Sequence, residues 1–137
     1  MDIQNKQKEY RKSETTVYSC QYHVVFCPKY RRPVLIEPIG EKIKVLAPQY
    51  CETLGIMILD MEVMPDHVHL LMDIPPTFVV RNAVTRLKGF LAHELRKMFP
   101  KLKSRLPSLW SRSCFISSVG AVSLEVVKQY IANQKNK

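Results

Sequence analysis

The chain has 137 residues, 46% apolar and 24% charged, which excludes a disordered polymer and leaves room for a real core in one domain. Its 21 Lys and Arg against 12 Asp and Glu give a formal charge of +9, a surplus that points to a polyanionic partner, nucleic acid ahead of an anionic membrane. No apolar run approaches the roughly 20 residues of a membrane span, no signal peptide is visible and the four cysteines lack C-x-x-C spacing. A reduced cytoplasmic protein with no membrane partner is expected.

In chain order, residues 1–16 are polar and basic without apolar periodicity and read as a flexible arm. The remainder, 17–137, reads as a single domain. Val17 to Phe26 alternates and is rich in β-branched and aromatic types, a strand stopped by Pro28. Lys29, Tyr30, Arg31 and Arg32 follow, three cations around an aromatic, a combination suited to a phosphate backbone and a stacked base. Residues 39–53 carry apolar positions at helical spacing, interrupted by Pro48, so a kinked or split helix is expected. Gly55 to Met64 and His67 to Ile74 read as two strands joined at Pro65-Asp66. That register sets Met64 opposite His67 and Glu62 opposite His69. Phe78 to Phe99 is the longest helix, with Val80, Val84, Leu87, Leu91, Leu95 and Met98 on one face. Arg81, Lys88 and Arg96 share another face, a candidate rail for a DNA backbone. Beyond Pro100 a basic loop is expected, then a strand from Leu109 to Val119 and a last helix capped by Ser123 and running to about Gln134. The order β-α-β-β-α-β-α gives an α+β, ferredoxin-like antiparallel sheet with helices on one face plus an added C-terminal helix.

The chemistry concentrates in two places. Strand alternation points His67 and His69 the same way, about 7 Å apart, able to approach one cation from one side. Alone, the pair reads first as half-buried polar residues on a strand. Glu62 is a candidate to orient His69 or to neutralise a nearby metal, or else an exposed strand residue. On the last helix Tyr130 and Gln134 stand one turn apart, about 6 Å along the axis. Two imidazoles and a carboxamide oxygen make a three-ligand site with open positions, and a phenol lies one turn away.

Several ordered blocks carry a family resemblance: Lys29 to Leu35, Met64 to Leu71, Leu87-Lys88-Gly89, Leu109-Trp110-Ser111, Ser118-Val119-Gly120 and Tyr130 to Gln134. Together they span nearly the whole chain. The sequence resembles the single-tyrosine, His-hydrophobic-His transposases of the insertion-sequence 200/605 class. The resemblance implies that His67, His69 and Gln134 hold Mg²⁺ or Mn²⁺ against a scissile phosphate of single-stranded DNA. It implies that Tyr130 attacks to leave a 5′-phosphotyrosine. It also implies recognition of hairpins at element ends, and a homodimer in which the tyrosine helix completes the partner's site. Other readings remain open on the residues alone. They are a relative processing chromosomal repeat hairpins, a non-catalytic ferredoxin-like module binding single strands, and a zinc hydrolase with Glu62 as third ligand.

Overall fold

The computed structural model describes residues 10–119 and 124–135. A four-stranded antiparallel sheet is built from β3 (Gln21–Phe26), β4 (Met57–Met64), β5 (His67–Asp73) and β6 (Phe115–Ser118), in the spatial order β4-β5-β3-β6. Helices α1 (Ile39–Thr53) and α2 (Val80–Met98) cover one face. This is the expected ferredoxin-like arrangement, with α4 (Leu124–Ala132) as the addition. The core forms where Val24, Phe26, Val68, Leu70 and Met72 of the central strands meet Ile43, Ala47 and Cys51 of α1 and Val84, Leu87, Leu91 and Leu95 of α2. No helix among the described residues is long and apolar enough to cross a membrane.

Pro48 does not split α1, which runs continuously from Ile39 to Thr53. An interior proline costs about 3 kcal/mol. Ile43, Ala47 and Cys51 are fully buried along one stripe, and Tyr50 stacks on Phe90 of α2 with centroids 4.2 Å apart. That packing offsets the lost hydrogen bond.

The expected strand from Leu109 to Val119 is shorter, because its first half spends its backbone elsewhere. Ser111 N–H donates to Cys27 O at 2.9 Å, Leu109 O accepts from Lys29 N–H at 2.8 Å, and the carbonyls of Ser111 and Ser113 face the Lys88 ammonium. Trp110 fixes this segment by donating from Nε1 to Lys88 O at 2.9 Å and by packing edge-on against Phe26. The expected loop after Pro100 contains a short helix, α3 (Lys101–Arg105), whose Leu102 is buried with Leu106 beyond it.

The N-terminal reading also changes. Within the expected arm, β1 (Arg11–Lys12) pairs with β2 (Val17–Tyr18), so the single strand from Val17 to Phe26 becomes β2 and β3. Arg11 ties this hairpin to the sheet. Its guanidinium donates to Asp73 O at 3.1 Å and Gly55 O at 2.8 Å and lies 3.6 Å from the Asp73 carboxylate. Residues 1–9, Gly120 and the Ser123 cap lie outside the described residues.

Burial raises the Asp73 carboxyl above its ordinary pKa, and Arg11 opposes that rise. The native chain therefore holds this proton more tightly than the unfolded chain, and the group's contribution to stability falls as pH rises through the raised value. Arg11→Ala should cost on the order of 2 kcal/mol near neutral pH. The loss should shrink in acid, where Asp73 is neutral in both states. Urea unfolding at the two pH values checks this, and an equal loss at both would contradict it.

Candidate active site

The two-residue turn at Pro65-Asp66 sets the register as expected: Met64 pairs with His67 and Glu62 with His69. Since Val68, Leu70 and Met72 face the helices, His67 and His69 face the other side of the sheet. One row crosses that side, with Phe115, Val25, His69 and Glu62 as successive register partners on β6, β3, β5 and β4. In the next row His23 stands opposite Leu71.

His69 is buried, and its Nε2 lies 3.3 Å from Nδ1 of His23. Burial, with His23 as the next cause, pushes its pKa down to about 4, so the imidazole is neutral at physiological pH. Burial lowers His23 as well. His67 is held from behind, its Nδ1 2.8 Å from Asp66 Oδ1. Donation from Nδ1–H leaves the Nε2 lone pair for a ligand, the arrangement in which a carboxylate fixes tautomer and ring orientation. The other Asp66 oxygen lies 3.2 Å from Arg31 Nε.

Helix α4 brings the second half of the site. Arg31 reaches it by donating from Nη1 to Ile131 O at 3.1 Å, a cation at the helix's C-terminal end. Tyr130 packs its ring on Phe115, centroids 5.3 Å apart. Its hydroxyl donates to Ser113 Oγ at 3.1 Å, and Ser113 Oγ donates to Gln134 Oε1 at 3.0 Å. Burial raises the Tyr130 phenol above its usual pKa, with the Ser113 hydrogen bond acting in the opposite direction. Ser113 is pinned in turn by Lys88, whose ammonium lies 2.8 Å from Ser111 O and 3.0 Å from Ser113 O. Burial lowers the pKa of that lysine.

The structure thus joins His67 and His69 on one face and joins Tyr130 to Gln134 through Ser113. Gln134 is hydrogen-bonded to Ser113 and to neither histidine. Phe115, under Tyr130, lies two strand spacings from His69, about 10 Å. Among the described residues no three His, Cys, Asp or Glu converge as a ready cage. The donor chemistry nevertheless suits a divalent cation: a neutral imidazole, a second imidazole backed by a carboxylate, and Glu62 exposed beside them.

The proposed DNA contacts divide. Arg31 and Lys88 are spent on internal partners, because burial obliges a cation to find oxygen ligands. Arg31 and Tyr30 also adopt left-handed φ values of 51° and 59°, uncommon for non-glycine residues and held here by the Arg31 bonds. Tyr30 and Arg32 are exposed, with the Lys29 ammonium 5.3 Å from the Tyr30 ring centroid. Arg81, Lys88 and Arg96 line one groove of about 460 Å³ with Trp110 and Arg112, as their helical spacing suggested. Arg96 also donates to Leu106 O at 3.4 Å. Sequence reasoning missed three residues: His23, Asp66 as more than a turn residue, and Ser113. His23 shares the alternation of its strand with Gln21 and Val25, a signal that becomes visible only once β3 is known to border β5.

Arg31→Ala should loosen α4 at its C-terminal end. Amide exchange there should quicken roughly tenfold, the scale of one charge-assisted hydrogen bond, while β3 and β5 stay protected. Unchanged exchange in α4 would show that other contacts hold the helix.

The family described as "Transposase IS200 like" matches residues 16–134. The chain is 34% identical over 131 residues to the ISDra2 transposase TnpA of Deinococcus radiodurans, covering 94% of each. It is 32% identical over 121 residues to the transposase for insertion sequence element IS200 of Salmonella typhimurium, covering 87% of this chain and 79% of that one. A solved Deinococcus radiodurans R1 chain described as a transposase superposes with a TM-score of 0.84 at 32% identity, covering 93% of this chain and 99% of that one. The fold also matches a REP-associated tyrosine transposase bound to a REP hairpin, with a TM-score of 0.56 at 13% identity over 88% and 68% of the two chains. This chain belongs to the IS200-like transposase family.

Proposed function

We propose that this transposase cleaves and rejoins single-stranded DNA through a covalent bond to Tyr130. The observation that carries the reading is the paired His67 and His69 on the face of the sheet opposite α1 and α2, with a half-buried, hydrogen-bonded phenol docked on the same row of side chains. Tyr130 Oη attacks phosphorus as the P–O3′ bond breaks. The phenolic proton passes to solvent, and the departing 3′-oxygen takes a proton. The product is a 5′-phosphotyrosine and a free 3′-hydroxyl, and the retained ester lets a second 3′-hydroxyl reverse the step without ATP.

His67, His69 and Gln134 are the residues that would hold a divalent cation, Mg²⁺ or Mn²⁺, with Glu62 beside His69. When bound, the cation polarises the phosphate and stabilises the leaving oxygen. Asp66 orients His67, and burial keeps His69 unprotonated and ready to donate its lone pair. Hairpin DNA is the proposed partner, supported by the hairpin held by the REP-associated relative of like fold and by the basic groove of Arg81, Arg96 and Arg112. Lys29, Tyr30 and Arg32 form a second contact for the strand. We place the active form as a homodimer in which α4 completes the partner's histidine pair. The engagement of Gln134 with Ser113 rather than with His67 and His69 is consistent with that assembly.

Tyr130→Phe should abolish cleavage of a labelled hairpin oligonucleotide while its affinity, read by gel shift, stays within about twofold, since the phenol is not a charge contact. His67→Ala and Gln134→Ala should each shift the Mn²⁺ concentration for half-maximal cleavage upward by about tenfold or more. Cleavage that persists in Tyr130→Phe would remove the tyrosine assignment. A wild-type metal response in Gln134→Ala would move the third ligand to Glu62.

A further inference from the structure

We propose that His23 is a positioning residue for the cation site: it accepts the Nε2–H of His69, so that His69 presents Nδ1 to the metal. This rests on the reading of His67 and His69 as ligands. It does not depend on where α4 docks, because His23 on β3 and His69 on β5 belong to paired strands of one sheet. Val25 is the register partner of His69, and His23 stands two residues along β3 on the same face, so the two rings meet on the diagonal. Both are buried, with Nδ1 of His23 3.3 Å from Nε2 of His69. The ring centroids are 5.4 Å apart and the planes are tilted by 46°, so the rings meet through these nitrogens and not by stacking.

The direction of the hydrogen bond follows from the chemistry of the ring. Two nitrogens at that distance need one proton between them, since two lone pairs would repel and two N–H groups would collide. A neutral histidine side chain carries its proton on Nε2 by intrinsic preference. Donation from His69 Nε2–H to His23 Nδ1 leaves both rings in that preferred tautomer. The reverse direction would put both in the disfavoured one. Burial lowers the pKa of both rings and so keeps either from taking a second proton. The two nitrogens of an imidazole diverge, so a ring that spends Nε2 on His23 has Nδ1 left for a ligand. His67 is the reverse case, with Asp66 beside Nδ1 and Nε2 left. Each histidine is thus held by an outer partner on the nitrogen that the cation does not use, and meets the cation with its tautomer and rotation already fixed. Without His23 a buried Nε2–H would lack its acceptor, and the ring would turn or change tautomer to find one.

Selective ¹⁵N labelling of the four histidines of the full chain lets NMR read each ring nitrogen. In the metal-free chain His69 should carry its proton on Nε2 and leave Nδ1 bare. Added Cd²⁺, a diamagnetic stand-in for Mn²⁺, should shift Nε2 of His67 and Nδ1 of His69. A proton on His69 Nδ1, or a Cd²⁺ shift at His69 Nε2, would overturn the proposal. His23→Leu, which keeps the bulk but not the acceptor, should weaken Mn²⁺ binding to the full chain by roughly 10- to 100-fold, followed by electron paramagnetic resonance. His23→Asn, whose Oδ1 can stand where Nδ1 stood, should recover most of that affinity. Wild-type binding in His23→Leu, or no recovery in His23→Asn, would reduce His23 to a packing residue and sink its positioning role. The same spectra separate the two levels. If Cd²⁺ moves neither His67 nor His69, the reading of the pair as ligands fails, and this proposal with it. If Cd²⁺ moves both, but His69 through Nε2, only the role of His23 fails.

Discussion

The register between β4 and β5 is the constraint on which the rest depends. With only Pro65-Asp66 between the strands, Met64 must meet His67, and the pairing follows through Glu62 with His69 as far as Asp60 with Leu71, beyond which an irregularity at Leu59 shifts it by one. A slip of one residue would turn His67 and His69 into the core and expose Val68, Leu70 and Met72, three fully buried side chains. At about 25 cal/mol per Å² of apolar surface, each of those side chains resists exposure by roughly 1.5–3 kcal/mol. The hydrophobic core therefore fixes the orientation of the histidines. The site is a by-product of which face the helices cover.

The same turn supplies the electrostatics. Asp66 receives His67 on one oxygen and Arg31 on the other, and Arg31 continues to the end of α4. The turn that sets the histidines thus also anchors the helix that carries the tyrosine. Lys88 plays a parallel part from α2, holding the segment that presents Ser113. The formal charge of +9 overstates what is free for DNA, since Arg11, Arg31 and Lys88 are all engaged with carbonyls or carboxylates of the chain itself. Arg81 and Arg112, exposed in one groove, are better placed for the proposed contact with a phosphate backbone.

Much of this was legible in the sequence because it follows from period and turn chemistry. Alternation placed His67 beside His69 on one face, and the 3.6-residue repeat placed Leu87, Leu91 and Leu95 in the core. What escaped depended on partners distant in the chain. Arg11 looked like part of a free basic arm because its carboxylate, Asp73, lies 62 residues on. Lys88 looked like a surface cation because nothing local announces two carbonyls from residues 111 and 113. Pro48 looked like a kink or a split because propensity is local, whereas the burial that keeps the helix continuous is tertiary. Ser113 carried no pattern at all; its meaning lies in the two oxygens beside it.

The proposed reaction joins one side chain, Tyr130, covalently to DNA. The direct measurement is mass spectrometry of the tryptic peptides recovered after the wild-type chain has been incubated with a hairpin oligonucleotide and Mn²⁺. A 5′-phosphonucleotide is expected on the peptide that contains Tyr130 and on no other tyrosine peptide. Cleaved DNA with an unattached 5′-phosphate, or an adduct on Tyr30 or any other tyrosine, would contradict it.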